Sequence, residues 1–434
     1  MKRWQVLGIR LELAVVGIGI LLVGSFGCDP TPVADPPHTP PAPTPADPPV
    51  TDIPVLEPEI QYVDSDPQAG TSAAVVVAGY ALAHTAQILP LDPQGDLVGE
   101  DSLDQQLDQV MTNLEAVLAS VDSGMEQLVK LDVFVDSPET VVQVRQQLPE
   151  YLGERVQPAV NWTATPLPVP GAQVSLDAVA TVPDAGPDQT TRHRVEDIAG
   201  PPDMAQVGVL PRGGAVYLSG HPERGEMAPA TAKSLAFLIN MLNEMGLDRD
   251  DVVHVRVFLD AMDQADVVRR EIAAAFEGQT IPPVTMAHWI SPAPMEIEMI
   301  ASAAPGGTGA ETVRFFTPAG IDPSPRFSRA ALVDGGRRIY ISSLYSPEPG
   351  TGEEQVAAIF ETMQNLLEQV GSDLRHLVKA TYYCADDDSS RALDLIRDDL
   401  FDPERPPAAS KVMVNEVAIP DRSIVIDMIA VTPP

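Results

Sequence analysis

Glu296 and Glu298 flank Ile297 in the apolar run MEIEMIA (295–301). Residues two apart on a strand point to the same side. The two carboxylates therefore sit together, either as a pair for general acid–base work or as a solvated strand edge. His221 is the second candidate. It follows LSG (218–220) at a predicted strand end, and an imidazole changes charge near neutral pH. His221 with Glu296 would make an acid–base pair. The remaining histidines (38, 84, 193, 254, 288 and 376) show no metal-ligand spacing with each other or with cysteine, so no metal and no cofactor is expected. His254 lies in an apolar strand and reads as a satisfied core residue. There is no Ser-His-Asp order and no phosphate-cradling glycine loop. The run DDD (386–388) reads as a solvated turn.

The elements that must position these residues recur along the chain. LVKLDVFVD (128–136), VVHVRVFLD (252–260) and LVKATYYCAD (377–386) read as buried strands, with Phe134, Phe258 and Tyr383 spaced 124 and 125 residues apart. A helical stripe precedes each strand. The first is Leu103, Leu107, Val110, Met111, Leu114, Val117, Leu118 and Val121; the second is Leu235, Leu238, Ile239, Leu242 and Met245; the third runs from Val356 to Val370. A strand pair comes before each of these helices, and a second helix follows each strand. A closing strand ends each set: VSLDAVA (174–180), MEIEMIA and IVIDMIA (424–430). The repeating unit reads ββαβαβ, with units over 60–184, 185–308 and 309–434. All three closing strands keep the second acidic position, as Asp177, Glu298 and Asp427. The first acidic position reads Ser175, Glu296 and Val425. The shared acid is expected to be structural, accepting hydrogen bonds or meeting solvent, and Glu296 is the one placed to carry chemistry.

The bulk composition narrows the function classes. The chain has 434 residues, with 27 basic against 62 acidic side chains and a formal charge of −35. Such a surface repels phosphate backbones, so nucleic-acid binding is not expected. Hydrophobic residues make up 44% and aromatics 5%, which implies aliphatic cores. The two cysteines, Cys28 and Cys384, are not expected to pair. Cys384 lies in a strand as a small hydrophobe.

Cys28 belongs to an N-terminal address. Lys2, Arg3 and Arg10 are followed by an apolar run from Leu13 to Gly27, short for a membrane-spanning helix. Residues 1–28 resemble a bacterial lipoprotein signal, which implies lipidation at Cys28 and a membrane anchor. An uncleaved anchor and ordinary secretion are the alternatives. All three place the chain outside the cytoplasm, and the first makes it an envelope lipoprotein. Residues 29–59 carry 12 of the 44 prolines and read as an extended, semi-rigid linker.

The strand end LSGHP in the second unit, AQILPLDPQGDL in the first and the closing EIEMIA together resemble the reactive intermediate deaminase family, RidA, also called YjgF or L-PSP. The resemblance spans about residues 60–432, strongest in the second unit and weakest in the third. It implies an α+β fold of the chorismate-mutase-like type. Family members form homotrimers around a central barrel, with small-molecule clefts between subunits. Three fused units then imply an intramolecular pseudo-trimer barrel that is monomeric as a chain.

Members that hydrolyse imines or enamines grip the substrate carboxylate with an arginine in a P-A-R-S/T-x-V motif. A guanidinium does this through two parallel hydrogen bonds. Here the positions read Gln157, Ile281 and Ala409, so the grip is absent from its usual place. Glu296 matches the family's cleft glutamate, and Gly220 ends the strand that lines the cleft. Arg145 and Arg269, on the second helices, and Arg155 are either solvated arginines or a displaced grip. Two readings follow. One is a tethered, degenerate module that binds a small ligand between units or serves as a scaffold. The other is an imine or enamine hydrolase with a relocated arginine and Glu296. An endoribonuclease suits the charge badly.

Overall fold

The structure, a computed structural model, describes residues 56–153, 155–183, 186–304 and 311–434. These belong to the second of two structural units, Val50–Pro434. The signal-like segment, Cys28 and nearly all of the proline-rich linker lie outside the described residues.

The first set of elements is β1 (Glu59–Asp66), β2 (Thr71–Ala78), β3 (Ala81–Thr85), α1 (Leu103–Ala119), β4 (Leu128–Val135), α2 (Pro138–Leu152), β5 (Ala159–Ala164) and β6 (Val174–Val182). The second is β7 (Thr191–His193), β8 (Val207–Leu210), β9 (Gly214–Leu218), β10 (His221–Glu223), α3 (Met227–Glu244), β11 (Val252–Leu259), α4 (Ala265–Ala275), β12 (Val284–His288) and β13 (Met295–Ala303). The third is β14 (Val313–Phe316), β15 (Ala330–Val333), β16 (Arg338–Leu344), α5 (Gly352–Gln369), β17 (Leu377–Cys384), α6 (Asp387–Leu400), β18 (Ala408–Met413) and β19 (Ile424–Val431).

The helices start where capping chemistry allows. Ser102 accepts from the Gln105 N–H ahead of α1, and Thr351 and Glu354 form a reciprocal capping box on α5. The apolar stripes then turn inward: Leu107, Val110, Leu114, Val117 and Leu118 on α1, and Val356, Ile359, Phe360, Met363 and Leu367 on α5, are buried. The DDD run is a helix start rather than a solvated turn. Asp386 caps α6 by accepting from the Ser389 N–H, and Asp387 and Asp388 occupy its first turn, where carboxylates meet the positive end of the helix dipole.

Each set also holds a strand that periodicity does not announce. β5, β12 and β18 run parallel to β4, β11 and β17. Their inward-pointing residues include Asn161, Thr285 and Ser410, which are buried against charged groups. A strand whose inner face is polar lacks the alternation that hydropathy detects.

The strands form two sheets. One has twelve strands in the order β18-β17-β19-β16-β2-β5-β4-β6-β3-β8-β7, with β1 added on β2. The other has seven, β12-β11-β13-β9-β15-β14, with β10 added on β13. Among the described residues the hydrogen-bonded ladders stay open and do not close into a barrel. Pairing nonetheless crosses from set to set in one rotational sense. β3 pairs with β8, β9 with β15, and β16 with β2.

Each set of helices covers its own aliphatic core. A further core of Val75, Leu82, Val129, Tyr217, Val253, Tyr340 and Val378 joins all three. The repeated aromatics Phe134, Phe258 and Tyr383 meet in one cluster, the last two edge to face at 6.5 Å. Cys384 is buried with a free thiol, which burial pushes up to about 12. It is a small hydrophobe and not a nucleophile.

Candidate functional site

The shared acids Asp177, Glu298 and Asp427 are all buried, and the centre of the molecule is built on them. Each accepts a charge from a different set of elements. Lys130 donates to Asp427 at 2.8 Å, Arg256 to Asp177 at 3.1 Å, and Lys379 meets Glu298 at 2.6 Å. A fourth acid, Asp132, lies between Arg256 (2.6 Å) and Lys130 (2.9 Å). Against the burial that would raise it, these two cations hold Asp132 well below the carboxylate range. Burial and the neighbouring Asp132 push Asp177 upward. The shared position accepts hydrogen bonds and does not meet solvent. Its surroundings enclose a cavity of about 50 Å³ bordered by His84, His254, Tyr217 and Tyr340. His254 is satisfied as a core residue, 3.1 Å from the Thr285 hydroxyl.

Glu296 points elsewhere. On β13 it lies opposite Pro222 of β10 and Phe258 of β11. Neither member of the Glu296–Glu298 pair is solvated, since each residue is only 6% exposed. Yet they serve different places: Glu298 belongs to the central ion network and Glu296 to the junction between the second and third sets of elements. There Gly220 supplies space. A Cβ added to it would collide with the Glu296 carboxyl and come within 2.5 Å of the Ser410 hydroxyl. Glu296 Oε1 is buried and makes no hydrogen bond among the described residues. Burial raises this carboxyl to about 7; the adjacent Glu298 adds to the rise, and Ser410, Lys379 and Arg329 oppose it.

The candidates separate as follows. His221 stacks on Phe237 at 3.7 Å and lies 3.4 Å from Glu223, with both ring nitrogens lacking hydrogen bonds. Burial lowers its pKa. Its neighbouring acid is Glu223, and no hydrogen bond joins it to Glu296. Gln157 is buried beside Tyr62. Ile281 is buried, its backbone tied to Asp203 and Ala205. The register corrects the third position. Lys130 pairs with Ala159 and Lys379 with Ala408, so Pro406 stands where Gln157 does, and Ala409 corresponds to Val160. Ala409 N–H donates to Ser219 Oγ at 2.6 Å, as Val160 N–H does to Ser342 Oγ at 2.8 Å.

The helix arginines line other clefts. Arg145 lies 5.6 Å over Trp162 in a cleft of about 400 Å³ that includes Ser342 and Ser343. Arg269 pairs with Asp266 at 2.7 Å beside a cleft of about 290 Å³ that includes Gln87 and Met204. The corresponding position of the third set is Asp394, which binds Lys411 at 3.1 Å.

The arginine that acts on Glu296 is Arg329, which sequence reasoning missed. Its carbonyl accepts from Ser219 N–H at 2.9 Å, which sets it beside the strand end that leads to Gly220. Its guanidinium lies 5.0 Å over Phe327 and is half-buried. Burial lowers its pKa, and the charge of Glu296 counters this. The β9–β15 register aligns it with Gln206 and Ala73 of the other sets, so only the third set carries a cation there.

The family model described as Endoribonuclease L-PSP matches residues 65–182 and 320–432, more than half of the chain. The chain belongs to the Endoribonuclease L-PSP family. A RutC family protein from Synechocystis is 32% identical over 108 residues, covering 25% of this chain and 83% of that protein. Among solved structures, a Rid-family protein from Yersinia pestis is 26% identical and covers 29% of this chain and 96% of its own, with a TM-score of 0.24. A putative endoribonuclease from Thermotoga maritima is 27% identical, covering 27% and 97%, with a TM-score of 0.21. The L-PSP match falls on the first and third sets of elements. The expectation that the second unit carries the strongest resemblance is therefore not met.

Proposed function

We propose that the chain is three RidA-like units fused around a pseudo-threefold axis, and that one inter-unit cleft, between units two and three, hydrolyses a small imine or enamine carrying a carboxylate. The cyclic pairing β3–β8, β9–β15 and β16–β2 supports the arrangement. The observation that supports the activity is the place of Arg329 beside the strand end that leads to Gly220, against which the buried Glu296 carboxyl lies, with each charge favouring the other. Arg329 takes the substrate carboxylate in place of the missing motif arginine. A carboxyl near pH 7 exchanges protons readily at neutral pH. Glu296 accepts a proton from the attacking water as its oxygen bonds to the imine carbon and returns it to the nitrogen, giving a carbinolamine; it then carries the hydroxyl proton to the same nitrogen, the C–N bond breaks as the C=O bond forms, and a keto acid and ammonia leave.

The other two junctions support binding without turnover, since Ser175 and Val425 replace the glutamate there. Gln87 Nε2 already donates to Ser175 Oγ at 3.0 Å. The tether at Cys28, an extracytoplasmic membrane location and a monomeric state remain part of this reading on sequence grounds alone. The name of the family does not extend to RNA cleavage here, because a charge of −35 opposes an RNA backbone.

The test is hydrolysis of 2-iminopropionate by the full-length chain, Glu296→Gln and Arg329→Met. Turnover in the parent and its loss in both variants is expected. No turnover above buffer by the parent would leave only the binding reading.

A further inference from the structure

His84, Tyr217 and Tyr340 come from three different sets of elements and hold one register. His84 on β3 lies opposite Val179, Tyr217 on β9 opposite Ile300, and Tyr340 on β16 opposite Ile429. In each case the partner stands two residues past the shared acid of the closing strand. All three side chains border the central cavity of about 50 Å³. His84 is 4% exposed and both tyrosines 0%. Yet His84 Nε2 and the two tyrosine hydroxyls have no hydrogen-bond partner among the described residues. Arg256 Nε, on the same wall, is a fourth such atom. A buried polar atom without a partner costs about 1–3 kcal/mol, so four that border one cavity point to a ligand.

The sign of its charge follows from the atoms. Arg256 Nε can only donate, and a hydroxyl or an imidazole N–H donates readily. Asp427 Oδ1 is the one acceptor-only atom among the unpartnered ones on this wall. The surrounding charges agree. Lys130, Arg256 and Lys379 pair with Asp132, Asp177, Glu298 and Asp427. Arg338 adds a further cation. It stands two residues before Tyr340 on β16, on the same side of the strand. It donates to the Gly213 carbonyl at 2.7 Å rather than to a carboxylate, and its Nε is also buried without a partner. After burial, the strongest influences on His84 are Arg338, Lys130 and Arg256, with Asp132 opposing. Burial raises Asp177, the acid that Arg256 meets, to about 7, so it carries less than a full negative charge at neutral pH.

We propose that the central cavity is an anion site that takes one chloride-sized halide between the His84 imidazole, the Tyr217 and Tyr340 hydroxyls and the Arg256 guanidinium. A water needs about 10–15 Å³, so the cavity has room for a monatomic ion with one or two waters, one of them donating to Asp427. The donors come from β3, β9, β11 and β16, so the ion binds only where the three sets of elements have come together. It stabilises the folded chain by the ordinary linkage of a ligand that the unfolded chain does not hold. The site is separate from the cleft at Gly220, and its test does not depend on turnover there.

The test is the thermal midpoint of the full-length chain in sodium chloride against sodium gluconate at equal ionic strength, which cancels general screening. Gluconate is too large for the cavity. The midpoint is expected to rise with chloride by about 2 °C for each tenfold increase once the site is filling, and not with gluconate. Tyr217→Phe combined with Tyr340→Phe keeps both rings, removes two donors and is expected to lose most of the chloride-specific rise. Equal midpoints in the two salts, or a chloride rise unchanged in the double variant, would overturn the site. Crystals of the parent chain in bromide need no variant. An anomalous peak within hydrogen-bond reach of the Tyr217 and Tyr340 hydroxyls is expected, and water alone in that place would overturn the proposal.

Discussion

Lys130 and Asp427 stand 297 positions apart in the chain, and their side chains meet at 2.8 Å in the buried centre. Comparable contacts join Arg256 to Asp177 and Lys379 to Glu298, each from the middle strand of one set of elements to the closing strand of another, although Arg256 stands two residues beyond the position that Lys130 and Lys379 share. Breaking one partner of a buried pair strands the other charge. Asp427→Ala is expected to destabilise the chain by about 3–5 kcal/mol in denaturant unfolding. Lys130→Met with Asp427→Leu should recover most of that loss, because no charge is then left without its partner.

Gly220 tests the cleft geometry. Any side chain there must displace the Glu296 carboxyl or Ser410. Gly220→Ala is expected to lower imine turnover about tenfold or more, the scale of effect that a displaced catalytic group produces. Parallel melting curves check that the loss is local.

Arg329→Lys keeps the charge but loses the fork that binds a carboxylate through two hydrogen bonds. KM for 2-iminopropionate should rise about tenfold or more. A substrate analogue without a carboxylate should show no difference between parent and variant.

Glu296 makes stability depend on pH in a defined direction. Its carboxyl rises from 4.5 to about 7 on folding, so between those values the folded chain holds a proton that the unfolded chain has released. Stability is therefore lost as pH rises through that window, by about 3 kcal/mol in all. Glu296→Gln should melt higher than the parent at pH 8, with the gap closing toward pH 4, as differential scanning calorimetry would read it.

His84 works in the opposite sense. Burial, with the nearby cations Arg338, Lys130 and Arg256, lowers it from 6.5 to about 3. Below 6.5 the unfolded chain takes up a proton that the folded chain refuses, so stability falls with pH from there. His84→Gln is expected to flatten the acid limb of the stability curve, by up to about 4 kcal/mol near pH 3.

Much of this protein is written locally. The stripes on α1 and α5, the closing strands and the aligned aromatics follow from residue spacing, because a helix or strand face repeats with a fixed period. The absence of arginine at Gln157 and Ile281, the restriction of Glu296 to the second unit, and the shared acids were legible in the same way. What β5, β12 and β18 do was not, since their inner residues are polar. Nor was the register that puts Pro406, and not Ala409, level with Gln157.

The tertiary structure alone decided which side chains meet. Glu296 and Glu298 share a strand face, yet one packs against Gly220 and the other joins an ion network. Ser410 reaches Glu298 across 112 positions, and Arg329 comes beside Ser219, next to Gly220, because β15 pairs with β9. Such meetings depend on strand register between units, and no local period encodes that.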